Sequence, residues 1–375
     1  MTEKQTDIRS EALDQLRERL DAVDARLVET IGERQDLVRQ IGQLKAAEGH
    51  QTRDFRREKV VLDKARATAE SVGVSPELAT DVLAAVIRAS LQDQEQARIR
   101  GSASGSGKSA LVLGGAGRMG RWFVEYFHSQ GYAVAVVDPA ADASKSHVHE
   151  SLAAAGVDYD VIVVAATLAV SAALLAELEQ LAPRGLVFDV GSLKTPLVEP
   201  LRSLANSGVS VTSLHPMFGP STRLLAGRHM IFCDVGSPEA TAAARAIFAD
   251  TMVESVDMTL EAHDELIAFV LGLSHFVNIA FVDTLANSGI DAEALALISS
   301  PTFDAQFAMG STVVHENPDL YFEIQRLNQF RDLPLQGLRE SVTRLQGAVS
   351  EDDLKQFRES MLAARAYVDG YKGAR

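Results

Sequence analysis

Residues 110–120 read ALVLGGAGRMG, and RWFVEYFHSQ follows at 121–130. An apolar run that ends in glycines and passes into an amphipathic stretch spells strand, tight turn, helix. Gly115, Gly117 and Gly120 stand in the spacing G-x-G-x-x-G. Glycine permits the tight turn and lets a pyrophosphate approach backbone N–H groups where the helix begins. The next apolar run, YAVAVVD at 132–138, ends in Asp138. A carboxylate there accepts hydrogen bonds from an adenosine ribose and repels a 2′-phosphate. The Pro-Ala-Ala-Asp that follows offers no arginine clamp, so the pattern predicts NAD rather than NADP. Gly115, Gly117, Arg118, Met119, Gly120 and Asp138 are the expected cofactor-binding residues.

Downstream, DVIVVA (160–165), GLVFDV (185–190), VSVTSL (209–214) and HMIFCD (229–234) read as further strands, with helical stretches between most of them. That alternation predicts an α/β Rossmann-type, doubly wound parallel sheet over 109–257. From 258 to 375 the pattern is helical, an all-α C-terminal domain that a family resemblance marks for substrate binding and dimerisation. Upstream, RIRGSASGSGK at 98–108 reads as a flexible Gly/Ser linker. Residues 1–97 are predicted to be all-helical. Leu13, Leu16, Leu20, Val23, Leu27, Ile31, Val38 and Ile41 recur at helical spacing without a proline. A helix over 10–48 would be roughly 55–60 Å long at about 1.5 Å per residue, too long for a domain of this size alone. Its apolar stripe therefore calls for a second copy, and a homodimer is expected. A second helix is expected near 56–71. A third is expected from Pro76 to Gln96, with Ser75 as its N-cap.

Composition narrows the function. Lys plus Arg number 36 against 51 Asp plus Glu, a net charge of −15. Such a surface repels nucleic acid and anionic membranes, so small-molecule substrates are the expected partners. The longest apolar run, 161–176, holds Thr167 and Ser171 and reads as a strand turning into a helix, not a membrane span. One cysteine, Cys233, rules out an internal disulfide and a multi-cysteine metal site, and no metal is expected. With a polar start lacking an apolar leader core, this fits a cytoplasmic protein.

Two groups of polar residues stand where the patterns do not ask for them. His215 lies in the Pro/Gly-rich SLHPMFGPS, just past a strand, and Ser192 and Lys194 lie in DVGSLKTP after another. Ligands of such sheets bind at that edge. On the first helix, continuing the apolar register puts Arg34 and Lys45 on the buried stripe. On the third, Ser90 and Gln94 continue the face of Leu83 and Ile87. Buried cations without carboxylate partners point to an anionic ligand inside the bundle.

GGAGRMG, DVGSLKTP, LHPMFGP, AHDELIAFV and LSHF occur in the order seen in prephenate dehydrogenases, and the resemblance spans about residues 108–350. It implies that His215 takes the proton of the ring 4-hydroxyl as hydride leaves for NAD and CO2 is lost. Ser192 would sit beside His215, Lys194 would line the loop against the substrate, and His275 would help form the pocket. In that family an arginine grips a substrate carboxylate either where Ser274 stands in LSHF or near Thr312 in MGSTVVHENP. Arg223, Arg228, Arg326 and Arg331 are the candidates to replace it. Residues 8–96 similarly resemble the all-helical chorismate mutases. That resemblance implies that Arg17 (of the partner subunit), Arg34 and Arg57 hold carboxylates, helped by Ser90. Lys45 and Gln94 would donate to the ether oxygen, and Asp54 and Glu58 would contact the C4 hydroxyl region. The expected function is a bifunctional enzyme of tyrosine biosynthesis, taking chorismate to prephenate and prephenate to 4-hydroxyphenylpyruvate. Three alternatives remain open: the same reactions on 4-amino-4-deoxychorismate and its prephenate product, arogenate as the oxidised substrate, or N-terminal helices that serve only dimerisation.

Overall fold

The computed structural model describes residues 3–47, 55–142, 144–145 and 147–373. Three helices lead: α1 (Glu3–Ala47), α2 (Phe55–Val72) and α3 (Pro76–Ser102). The sheet domain follows as β1 (Ser109–Leu113), α4 (Arg118–Ser129), β2 (Ala133–Val137), β3 (Val148–His149), α5 (Leu152–Ala155), β4 (Val161–Val164), α6 (Leu168–Leu181) and β5 (Leu186–Asp189). It continues through α7 (Val198–Asn206), β6 (Val211–Pro216), β7 (His229–Cys233), α8 (Pro238–Ile247) and β8 (Glu254–Met258). The last part is helical: α9 (Leu260–Ile267), α10 (Ser274–Ala286), α11 (Ala292–Leu297), α12 (Pro301–Val314), α13 (Pro318–Leu327), α14 (Asp332–Ser350) and α15 (Leu354–Gly373). A π-helical turn, Ala268–Leu273, joins α9 to α10.

The strand order is β3-β2-β1-β4-β5-β6-β7-β8. Every pairing is parallel except β6 with β7. Residues 217–228 form no helix between those two strands, so no crossover is available and the chain returns as a hairpin. β8 was not legible as a strand because ESVDM carries two carboxylates and lies at the sheet edge, largely exposed. Strand alternation sends Leu111, Leu113, Ile162 and Val187 to one face, under α6 and α7. Ala110, Val112, Val163, Phe188 and Phe232 go to the other, against Phe123 and Phe127 of α4.

The expected flexible linker at 98–108 is corrected. Residues 98–102 are the last turn of α3, and Ile99 is buried in the second sheet face. Ala103 then turns left-handed, Ser104 Oγ donates to Gln130 Oε1 at 2.7 Å, and the Gly105 amide donates to Gln130 O at 3.0 Å. Gly105 packs on Tyr132 so closely that a Cβ would lie 1.9 Å from the ring, so its glycine serves contact rather than flexibility. Glu95 completes the junction. It is 1% exposed, and its carboxylate accepts from the Leu225 amide at 2.7 Å and the Met252 amide at 2.6 Å. Burial pushes the Glu95 carboxyl up, and the two amide bonds offset this only in part.

Candidate active sites

At the first site, the glycine loop has no room for side chains. A Cβ on Gly120 would lie 2.0 Å from the Gly114 carbonyl oxygen, and one on Gly115 would lie 2.6 Å from Val136 Cγ1. α4 starts from Gly117 with no side-chain cap and no acidic residue in its first turn, which leaves its leading N–H groups for an anion. Asp138 closes the loop from the end of β2: its Oδ2 accepts from the Ala116 amide and its Oδ1 from the Ala140 amide, each at 2.9 Å. This cradle fits a dinucleotide. Arg118, leading α4, forms an ion pair with Glu316 from beyond α12, so the C-terminal helices reach the mouth of the loop.

Three strands along the same sheet, at the end of β6, a second set of polar side chains converges on His215. Its Nδ1 lies 2.8 Å from Nε2 of His263, whose Nδ1 lies 2.7 Å from Asp264 Oδ1. Asp264 Oδ1 also accepts from the Lys194 amide at 2.8 Å, and Oδ2 accepts from the amide and hydroxyl of Thr195. All three members are buried. Burial, the neighbouring His263 and the Lys194 cation hold the His215 imidazole well below its ordinary pKa. Burial likewise lowers His263, although Asp264 pulls it upward. For Asp264 burial pushes upward, but hydrogen bonds from His263, Thr195 and the Lys194 amide prevail and hold it below the usual carboxylate range.

On the C-terminal helices, the His275 ring stacks on Tyr321 of α13, centroids 4.3 Å apart. Its Nδ1 is buried with no partner among the described residues. Ser274 and Thr312 spend their hydroxyl protons within their own helices. Ser274 Oγ donates to Val270 O at 2.6 Å and Thr312 Oγ1 to Ala308 O at 3.0 Å, each within its own helix.

A second polar cluster lies between α1 and α3. Arg34 Nη1 donates to Ser90 Oγ at 3.0 Å, and Gln94 Nε2 donates to Val38 O at 2.8 Å. Gly42 allows this approach: a Cβ there would lie 3.0 Å from Gln94 Nε2. Ser90 is buried, while Arg34 and Lys45 are half-buried on one face of α1.

Family comparisons match the chain in three consecutive blocks: chorismate mutase type II over residues 16–95, the nucleotide-binding domain of prephenate dehydrogenase over 131–256 and its dimerization domain over 259–363. The chain belongs to both families, joined end to end. The T-protein of Enterobacter agglomerans is 28% identical over 322 residues, 82% of this chain and 80% of that protein. The 4-amino-4-deoxyprephenate dehydrogenase of Streptomyces pristinaespiralis is 29% identical over 260 residues, 66% of this chain and 86% of that one. In fold, the chain is similar to prephenate dehydrogenase from A. aeolicus, solved with hydroxyphenyl propionate and NAD+. The TM-score is 0.55 at 17% identity, over 70% of this chain and 98% of that one. The protein is thus a chorismate mutase and an NAD-dependent prephenate dehydrogenase of tyrosine biosynthesis.

The structure brings some of the residues singled out in the sequence together and leaves others apart. On the dehydrogenase side, Ser192 is half-buried in the β5 loop, which Lys194 ties to the strand of His215. Lys194 is a correction. Its side chain is 0% exposed, and its Nζ donates to Asp189 Oδ2, Gly191 O and Leu214 O, each at 2.8 Å. With three acceptors for three protons it is a strut beneath the loop, not a ligand facing the substrate. Arg223 and Arg228 face elsewhere, lining with Arg88 a cavity of about 570 Å³ against α3. Between α1 and α3, Arg34 bonds to Ser90, Gln94 bonds to Val38 O one turn further along α3, and Lys45 shares the α1 face. Arg17 is exposed beside Asp14, and Arg57 and Glu58 open α2. Asp54 lies outside the described residues. Sequence reading gave no role to His263, Asp264, Tyr321 or Glu95. Only the adjacent His263-Asp264 pair was visible as a signal, because contact across 48 residues leaves no local pattern. Among the described residues no cluster suits a metal.

Proposed function

We propose that His215 is the base of the dehydrogenase and that the α1–α3 cluster is the mutase site. The observation that carries the first assignment is the His215–His263–Asp264 chain, buried at the sheet edge where the dinucleotide loop also opens. NAD, when bound on Gly115, Gly117, Arg118, Met119, Gly120 and Asp138, supplies the hydride acceptor. His215 takes the 4-hydroxyl proton of the substrate as its C4–H bond breaks, and the ring carboxylate leaves as CO2 while the ring aromatises. A neutral base suits this step, and burial keeps His215 neutral. Ser192 and His275 shape the pocket, and Tyr321 holds the His275 ring. Arg326 and Arg331, on the segment that bonds to Asp264 through Asn328, remain the candidates for the substrate carboxylate.

In the mutase, Arg34, Arg57 and the partner subunit's Arg17 hold the two carboxylates of chorismate with Ser90. Lys45 and Gln94 stabilise charge developing on the ether oxygen, and Asp54 and Glu58 meet the hydroxyl end. One amide proton of Gln94 is held by Val38, and the other is free to donate to the ether. The rearrangement needs no nucleophile, so positioning and electrostatics supply the rate.

The working unit is a cytoplasmic homodimer. Bare apolar faces support this: Leu16 and Leu20 of α1 are 58% and 59% exposed, and Phe269, Val270 and Phe276 line an open side of the dimerization domain. The run Leu260–Ala286 has the length and apolarity of a membrane span, but it starts with the buried His263–Asp264 pair. Working domain limits are 1–102 for the mutase with its last helical turn, 103–108 for the connection, and 109–257 and 258–375 for the dehydrogenase.

A second reading draws support from Ser274 and Thr312, which leave no arginine at the expected carboxylate positions. It assigns the amino analogues of both substrates. Steady-state assays on prephenate, arogenate and 4-amino-4-deoxyprephenate, each with NAD and NADP, decide it: the substrate with the highest kcat/KM is the natural one. His215→Asn should lower kcat by ~10²–10⁴ with whichever substrate that is, the range for loss of a positioned base. Near-normal turnover would remove His215 from the mechanism.

A further inference from the structure

The buried chain behind His215 decides which nitrogen of that ring can act. Asp264 accepts hydrogen bonds from the Lys194 amide and from the Thr195 amide and hydroxyl, so it stands as an acceptor toward its remaining neighbour. His263 must then carry its proton on Nδ1 to meet Asp264 Oδ1. A neutral His263 with Nδ1–H has a bare lone pair on Nε2, and that atom faces His215 Nδ1 at 2.8 Å. His215 must therefore carry its own proton on Nδ1, which leaves Nε2 as the lone pair. Nε2 has no partner among the described residues. Acceptor, donor, acceptor and donor alternate along the chain, and only one tautomer of each ring satisfies both contacts.

We propose that His263 and Asp264 are positioning residues of the dehydrogenase: they lock His215 in the Nδ1–H tautomer and share the proton it gains. This rests on His215 being the base. In the forward step the substrate O–H bond breaks and its proton goes to His215 Nε2. The C4–H pair leaves as hydride to NAD. The C–C bond to the ring carboxylate breaks, releasing CO2, and its electron pair completes the aromatic ring. The imidazolium formed has its Nδ1 proton against His263 Nε2, so positive charge spreads toward Asp264 instead of staying on a buried ring. The proton then returns to the phenolate oxygen, and the base is regenerated with no net proton change.

The charged and titratable groups around the pair are few. Lys194 and Asp189 come from the β5 side as a closed ion pair, and Asp264 comes from α9. Cys233 on β7 stays a neutral thiol, because burial pushes it up to about 12. Of these, only Asp264 can stabilise a cation on His263 through direct contact. This division of labour parallels the Ser-His-Asp arrangement, in which the carboxylate fixes an imidazole tautomer and steadies its charged form.

The test uses the full-length enzyme with prephenate and NAD, comparing His263→Leu, His263→Gln and His215→Asn. Leucine removes the acceptor for His215 Nδ1–H, whereas the glutamine carbonyl can restore it. The expected result is a kcat loss of about 10²-fold or more for His263→Leu, within the range for disabling a general base. His263→Gln should recover at least tenfold of that. KM and the NAD dissociation constant should stay within about threefold, and the acidic limb of the kcat/KM profile should move to lower pH in His263→Leu. A structural role alone would not give rescue by glutamine with a displaced limb. His263→Leu within threefold of wild type, or Leu and Gln equally impaired, would overturn the proposal. If His215→Asn itself keeps normal turnover, the base assignment fails first. Should His263→Leu not fold, His263→Gln against wild type still reads the limb: an unmoved limb with normal kcat supports retention of the acceptor, and a collapsed kcat refutes it.

Discussion

Replacing Lys194 with methionine separates its structural and ligand roles. Both Lys194 and Asp189 side chains are 0% exposed, and Lys194 Nζ donates to Asp189 Oδ2, Gly191 O and Leu214 O. Methionine fills similar space but leaves a buried carboxylate with one amide donor, from Gly191, and strips both carbonyls of their partner. Breaking a buried pair from one side costs about 3–5 kcal/mol, a large part of the ~5–15 kcal/mol that holds a typical domain together. With an m value of about 2.5 kcal/mol/M the urea midpoint should fall by about 1.2–2 M. The double variant Lys194→Met/Asp189→Leu removes both charges and should regain most of the loss, since replacing a whole buried pair by apolar groups is often neutral. The assay is urea unfolding followed by fluorescence, with prephenate kinetics on the same samples. Lys194 also helps depress His215, so surviving enzyme should show its acidic limb at higher pH than wild type. An unchanged midpoint with a raised KM for prephenate would refute the strut and return Lys194 to the substrate.

Gly120→Ala should abolish NAD binding measured by calorimetry, because its Cβ would overlap the Gly114 carbonyl at 2.0 Å and displace the loop; mutase turnover should persist. Arg34→Ala should lower mutase kcat/KM by at least ~10²-fold, given charge-assisted bonds worth about 1.5–3 kcal/mol each, while dehydrogenase activity on supplied prephenate stays within about twofold. Stability should fall on acidification. His215 and His263 are depressed in the fold, so the unfolded chain takes up these protons first, near its ordinary pKa of about 6.5. Their stabilisation is complete above that pH and is lost as pH falls through it, at up to about 1.4 kcal/mol per pH unit for each histidine. A thermal midpoint flat between pH 7.5 and 5.5 would contradict this.

Much of this architecture is local and could be read directly. The glycine loop, Asp138 and the strand series depend on short-range rules, and the structure keeps them in the expected order. The helical polar stripe was also legible, since Arg34, Ser90 and Gln94 each sit in a register that apolar neighbours define. Lys194 was misread because a cation in a strand-end loop looks the same in sequence whether it faces substrate or a buried Asp189 five residues earlier. The Gly/Ser tract misled for a related reason. Small residues give flexibility when solvated, but Gly105 is needed for contact with Tyr132. His263 escaped because its partner lies on another element, and no periodicity marks such a pairing.

The anchoring of α3 bears on how this fusion can be taken apart. One face of that helix presents Ser90 and Gln94 to α1, while Glu95 and Ile99 plug into the sheet domain. A cut in 100–108 would therefore leave the sheet-domain fragment with an empty apolar socket where Ile99 sat, and the amides of Leu225 and Met252 without their acceptor. Exchanging the mutase for one from another protein would demand a carboxylate at the position of Glu95 and loops cut to receive it. The two halves are thus mechanically joined through α3, and a substitution that shifts the backbone at 225 or 252 would be felt one turn away, on the helix that carries Ser90 and Gln94.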